Sequence, residues 1–152
     1  MEGMRQAAAE DAAAIRALTR AAYAKWVPLI GREPLPMAAD YEAAVAKHRF
    51  DLLHVEGTLA ALIETIAKDD HLLIENVAVA PAFQRRGLGC KLMAHAEAVA
   101  RGMGYRVLRL YTNKSFAENV ALYRRLGYAV DREEEFRGGI TVHMSKEIAP
   151  AG

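Results

Sequence analysis

Ile15, Leu18, Ala22 and Trp26 recur at helical intervals, so they share one helix face and predict a first helix over residues 11–26. Glu10 and Asp11 stand at its start, where negative charge suits the helix dipole. Pro28, Gly31, Pro34 and Pro36 then interrupt regular structure, and Asp40 is placed to cap a short second helix carrying Tyr41 and Val45. From residue 52 the pattern changes. Apolar runs at 52–56 and 59–67 flank Gly57-Thr58, which reads as a two-residue hairpin turn, and a third run at 72–79 follows with no helix between. Three strands in succession predict an antiparallel meander and argue against a purely doubly wound sheet.

Helical spacing then returns. Leu88, Leu92, Met93, Ala96, Val99 and Ala100 mark an apolar face, and Gly102 or Gly104 ends the helix. Residues 105–112 read as a strand, which a helical crossover makes the parallel neighbour of 72–79. Ser115 and Glu118 have capping-box spacing, and the helix they open runs to Leu126 with Gly127 as its stop. Residues 128–131 and 140–146 are expected to pair around Gly138-Gly139, leaving 149–152 as a loose tail.

A chain of 152 residues suits one domain, 1–152, and 53% hydrophobic with 26% charged residues predicts a folded, soluble protein. A formal net charge of +1 provides no broad field for nucleic acid or an anionic membrane. The single cysteine, Cys90, excludes an intramolecular disulfide and a Cys-based zinc site. His48, His54, His71, His95 and His143 lack metal-ligand spacing, so no metal is expected. Residues 1–9 have no signal-peptide core and no stretch approaches a membrane span, which makes the cytoplasm the expected location.

The segment Gln84, Arg85, Arg86, Gly87, Leu88, Gly89 joins the third strand to the helix beginning near Cys90. A glycine-rich turn entering a helix aims backbone N–H groups and the positive end of the dipole at one point, which suits phosphate. A P-loop would need Lys and then Ser or Thr after its last glycine, whereas Gly89 is followed by Cys90 and Lys91. A dinucleotide fingerprint would need a third glycine where Leu92 stands. Taken alone, the segment also fits a plain helix-entry turn.

In context the segment resembles the pyrophosphate loop of the GNAT superfamily of acyl-CoA-dependent N-acyltransferases: Gln or Arg, two variable residues, Gly, one variable residue, then Gly or Ala. Gln84, Gly87 and Gly89 match it. A second block is similar to the same superfamily: Leu110-Tyr111-Thr112-Asn113 closing a strand, then Glu-Asn-Val-Ala-Leu-Tyr-Arg-Arg-Leu-Gly-Tyr at 118–128. Residues 76–81 and 142–146 are more weakly alike, so the resemblance covers most of the chain from about Leu52 onward. Many members have a glycine early in the strand after the first hairpin turn, where this chain has Ala60 and Ala61.

The resemblance implies an α+β, three-layer fold, with helices on both faces of a mixed, mostly antiparallel sheet in which two parallel strands splay apart. It implies acetyl-CoA as co-substrate, its pantetheine arm pairing with backbone groups of Val77, Ala78 and Val79. The pyrophosphate would meet N–H groups from Arg85 to Cys90, with Arg85 or Arg86 adding charge-assisted bonds and Asn119 helping to hold the arm. The expected reaction is direct transfer of an acetyl group to a primary amine, on a small molecule or a peptide, in a ternary complex. A non-catalytic acyl-CoA-binding module is the competing reading, and a homodimer is compatible with either.

Transfer from a thioester to an amine needs a proton for the departing thiolate and a base for the amine. Tyr123 follows Asn119 by four residues on one helix face, and its phenol, with a reference pKa near 10, could protonate the sulfur. Its alternative role is a core aromatic. Glu75 shares a strand face with Leu73, Val77 and Val79 in an apolar run, which marks it as the base, acting directly or through water. A structural partner for an arginine is its alternative. Glu64 is the second candidate base, with an exposed or ion-paired strand position as the plainer reading. Cys90 sits in the pyrophosphate loop, far from the expected thioester, which argues against an acyl-enzyme. Tyr23, Trp26, residues 27–41 and the turn at 133–136 are candidates for the acceptor pocket, although Tyr23 and Trp26 read equally as helix core and the acids as a solvated face.

Overall fold

The computed structural model describes residues 3–150, so the end of the expected tail, 151–152, lies outside the described residues. Seven strands form one sheet: β1 (Met4–Gln6), β2 (Arg49–Val55), β3 (Thr58–Ala67), β4 (Leu72–Val79), β5 (Val107–Asn113), β6 (Ala129–Phe136) and β7 (Gly139–Glu147). Their order is β1-β2-β3-β4-β5-β7-β6, antiparallel throughout except for the parallel pair β4 and β5. The helices are α1 (Ala12–Tyr23), α2 (Val27–Ile30), α3 (Leu35–Ala38), α4 (Tyr41–Lys47), α5 (Leu88–Gly102) and α6 (Ala117–Arg125).

Alternation along the strands sends neighbouring residues to opposite faces, and each face meets a helix layer. Leu52, Leu62 and Ala78 pack with Ile15, Leu18 and Ala22 of α1 and Tyr41 of α4. Leu53, Ile63, Leu72 and Leu108 pack with Leu92, Met93 and Ala96 of α5. Most of these side chains are fully buried, and each large aliphatic one contributes about 1.5–3 kcal/mol of transfer free energy. The result is the three-layer α+β arrangement, with β4 and β5 as the parallel neighbours.

Several local expectations shift. The first hairpin turns on Glu56-Gly57 rather than Gly57-Thr58, because both turn residues adopt positive φ, 50° and 80°, as a type I′ turn requires. The Ser115 and Glu118 capping box does not form. Asn113 Oδ1 instead accepts from the Ser115 N–H at 2.8 Å, and the N-cap is Phe116, which has no polar side-chain atom. The first helix stops at Tyr23 and tightens into a 3-10 turn, Ala24–Trp26, ahead of Pro28. Strand β1 is an addition, too short for any period to reveal. Strand β6 extends through Arg132-Glu133-Glu134-Glu135 to Phe136, because an edge strand paired on one side only tolerates a polar run.

One irregularity positions everything that follows. Between β3 and β4 the register moves from Glu64↔Asn76 to Thr65↔Ile74, which leaves Glu75 as the extra residue of a β-bulge. Pairing of β4 with β5 ends at Ile74↔Leu110, so the two parallel strands part where the bulge bends β4 away.

Candidate active site

Beyond the bulge, β4 has lost its neighbour on one side. The Val77 carbonyl accepts from the Tyr23 hydroxyl at 3.3 Å and the Val79 carbonyl from Gln84 Nε2 at 3.0 Å, so both face the opening rather than β3. In an antiparallel pair the N–H and C=O of one residue point the same way, which turns the Val77 and Val79 N–H groups into the gap as well. Ala78, between them, therefore directs its backbone to β3, and its side chain is buried against α1. Of the three β4 residues expected to meet the cofactor arm, two are brought to the opening.

Below the gap, the turn enters α5 through left-handed conformations at Arg85 and Gly87, with φ of 65° and 80°. Gly87 is the N-cap and provides no side-chain cap, so the first N–H groups of the helix, those of Leu88, Gly89 and Cys90, remain unpartnered as donors. Gln84 ties this turn to the strand through Val79, and Lys25 Nζ donates to Gln84 Oε1 at 3.3 Å. A cavity of about 630 Å³ runs along these groups, walled by Val77, Val79, the 84–90 turn and Asn119, Leu122 and Tyr123 of α6. Arg85 lines it. Arg86 does not, and its guanidinium lies 5.3 Å from the centre of the Phe83 ring. Cys90 is an exposed free thiol at the cavity wall.

A second cavity, of about 280 Å³, adjoins the first and is lined by residues of the 30–36 segment, β4, β5 and the β6/β7 hairpin. The two cavities share Tyr23, Val77, Asn119 and Tyr123. Asn119 and Tyr123 reach this junction together because a four-residue step stacks them on one face of α6. Tyr123 is 9% exposed, and burial alone pushes its phenol up to about 12.

Glu75 also lines the second cavity. It keeps the half-buried strand face of Leu73, Val77 and Val79, although the bulge leaves it without a partner residue on β3. Its Oε1 accepts from the Tyr111 hydroxyl at 2.6 Å, so its partner is a phenol rather than the arginine of the structural reading. Burial, and then this bond to Glu75, raise the Tyr111 pKa. Glu64, by contrast, is deeply buried, 4% exposed, and its Oε2 lies 2.7 Å from His48 Nδ1. Burial raises the Glu64 pKa, and the His48 bond offsets part of that rise. Glu64 lines neither cavity.

Tyr23 turns out to join both readings offered for it: it is half-buried against the α1 core, and its hydroxyl donates at 2.8 Å to Asn76 Oδ1 at the junction. Burial raises its pKa well above that of a free phenol. Asn76, Tyr111 and Phe116 escaped sequence reasoning. The signal for Asn76 was present as a polar residue within an apolar strand, whereas nothing local marks Phe116, which stacks on Trp26 with ring centres 4.4 Å apart. Among the described residues no group of His, Cys, Asp and Glu is set to hold a metal, and no helix is long and apolar enough to cross a membrane.

A mixed sheet that opens between two parallel strands above an uncapped helix N-terminus is the frame of the acyl-CoA-dependent transferases. The model of the Acetyltransferase (GNAT) family matches residues 13–128, and the chain belongs to that family. Streptothricin acetyltransferase of Streptomyces lavendulae is 35% identical over 82 residues, 53% of this chain and 43% of that protein. The ribosomal protein bS18-alanine N-acetyltransferase of Salmonella typhimurium is 37% identical over 76 residues, 50% of this chain and 51% of that one. The matched stretches thus span about half the length of these curated relatives. Among solved structures, the Escherichia coli ribosomal-protein-S18-alanine N-acetyltransferase superposes with a TM-score of 0.81 at 23% identity, covering 100% of this chain and 97% of its own. The PaiA N-acetyltransferase of Thermoplasma acidophilum, in complex with coenzyme A, gives 0.83 at 16% identity, with 97% and 99% covered. At these identities the likeness to the solved structures is one of fold.

Proposed function

We propose that the protein transfers an acetyl group from acetyl-CoA to a primary amine directly, in a ternary complex. The observation that carries this reading is the junction: two cavities meet on Val77, Asn119 and Tyr123, beside the parted pair β4 and β5. The larger cavity has what a pantetheine-pyrophosphate chain needs, a strand edge with no neighbouring strand at Val77 and Val79, whose N–H groups are open, followed by free N–H donors at 88–90. The smaller one takes the acceptor.

In this reading the amine nitrogen attacks the thioester carbonyl carbon, and the Val77 N–H stabilises the oxyanion that develops. The C–S bond then breaks, Tyr123 gives its proton to the thiolate, and the amine proton leaves to Glu75 directly or through water. Glu75 is favoured over Glu64 because it lines the acceptor cavity, while Glu64 is walled in with His48.

Thiol release from acetyl-CoA across a panel of small amines, amino acids and peptide N-termini tests the activity. Tyr123→Phe is expected to lower kcat by about 100-fold, within the usual range for losing a general acid, with cofactor affinity kept. Unchanged rates in both Tyr123→Phe and Glu75→Gln would refute the site assignment, and tight cofactor binding without turnover on any acceptor would favour a binding module.

A further inference from the structure

The charges lining the acceptor cavity do not balance in place, and the imbalance has two ends. Four ionisable side chains other than tyrosine line it: Arg32, Glu75, Glu134 and His143. Glu134 is matched within the protein, its Oε1 lying 3.0 Å from His143 Nε2 and 3.6 Å from Arg132 NH1. These contacts, the His143 bond foremost, hold its carboxyl below the usual range. Glu75 has no cationic partner among the described residues; its bond is to the neutral Tyr111 phenol. Arg32 likewise has no carboxylate partner. Its guanidinium donates only to the Glu33 backbone carbonyl, at 3.4 Å, and lies 6.0 Å from the Phe136 ring centre, while the neighbouring Glu33 carboxylate is taken by Arg20.

An unmatched acid on the β4 bulge and an unmatched guanidinium on the 30–36 segment thus line one small space, whose wall also includes Ile30, Leu35 and Phe136. The space has a volume of about 280 Å³, which suits a compact group carrying both charges. A simple alkylamine would satisfy the acid and leave the arginine idle.

Resting on the acetyl-transfer reading above, we propose that the acceptor is a small aminocarboxylate, its ammonium end drawn to Glu75 and its carboxylate held by Arg32. Arginine suits the second role because its planar fork binds a carboxylate through two parallel N–H bonds, and the Phe136 face supports the guanidinium from the side. The ammonium must lose a proton before it attacks, and the same Glu75 that attracts the cation is placed to take it.

The test uses matched acceptors that differ only in the anion: glycine, β-alanine, γ-aminobutyrate, ε-aminocaproate and L-leucine, each against its own carboxamide, assayed by thiol release. The expected result is a kcat/KM ratio of about 10 or more in favour of the acid for at least one pair. That ratio falls toward one in Arg32→Gln and is partly kept in Arg32→Lys. Turnover with a ratio near one, or a ratio that survives Arg32→Gln, overturns the aminocarboxylate assignment and leaves acetyl transfer standing. If no acceptor is turned over, calorimetric binding of the same pairs to the coenzyme A-loaded protein decides separately. Arg32-dependent preference for the acids would uphold the assignment, and equal or absent binding would overturn it, while the transferase reading is decided by the wider panel of amines and peptide N-termini.

Discussion

Burial alone pushes the Tyr123 phenol up to about 12, so the proposed acid keeps its proton well past neutral pH. The alkaline limb of a kcat profile is therefore expected to show no loss attributable to Tyr123 up to about pH 10, which stopped-flow thiol release checks. Asp11 shows the opposite shift. The Arg5 guanidinium at 2.8 Å, and then the Ala8 N–H, hold its carboxyl down to about 2. A carboxyl depressed in the folded state stabilises the fold above its unfolded value near 3.9, and that contribution is lost as pH falls through about 2. Asp11→Asn is expected to cost about 1 kcal/mol at neutral pH, a modest figure because Arg5 is half exposed and the pair is screened by salt. Urea midpoints should converge with those of the parent below pH 2. At this scale residue type was informative: a tyrosine after Asn119 and an acid within an apolar strand both stood out. What sequence could not supply was environment, since burial assigned the raised carboxyl to Glu64 and left Glu75 at the cavity wall.

The elements most legible in the sequence are those with a long, one-sided apolar period, α1, α5 and β4, because their burial is dictated by spacing. Those that failed are caps and turns, where one hydrogen bond decides: the Ser115 box gave way to the Asn113 side chain, and the hairpin turn moved by one residue. The bulge at Glu75 belongs with them, since an extra residue in one strand is defined only against its partner. The turn before α5 allows a sharp test of local geometry. Gly87 has φ of 80° with nothing within 4 Å of an added Cβ, so Gly87→Ala introduces strain without a clash. The expected cost is about 1 kcal/mol of stability, with coenzyme A affinity falling several-fold. Gly89 lacks the positive φ, and its Cβ would lie 3.8 Å from Leu122 Cδ2, so Gly89→Ala is expected to leave the urea midpoint within about 0.5 kcal/mol. Urea midpoints and calorimetric titrations on both variants separate strain from simple loss of a glycine.

Across the whole molecule, the cleft is assembled from segments far apart in the chain. Trp26, following α1, stacks on Phe116, at the start of α6, with an interplanar angle of 20°. Trp26 lines the larger cavity and Phe116 the smaller, and Trp26 is the chain's single tryptophan. Its emission therefore reports on one place. Titration with coenzyme A is expected to change Trp26 fluorescence saturably, and Gly87→Ala should shift the midpoint to higher concentration as its affinity falls. The amino-acid sequence by itself determined the strand-strand-strand-helix-strand order and the glycine turn at 84–89 that enters a helix, because each follows from spacing over a few neighbouring residues, and its motifs at 84–89 and 110–128 carried the family resemblance. Only the tertiary structure decided that β4 leaves β5 at Ile74, that Val77 and Val79 face the gap while Ala78 does not, and that Arg32 shares a cavity with Glu75. Those facts depend on register between strands and on loops closing from opposite ends of the chain. Such contacts are set by the packing of the whole molecule, and no local pattern carries them.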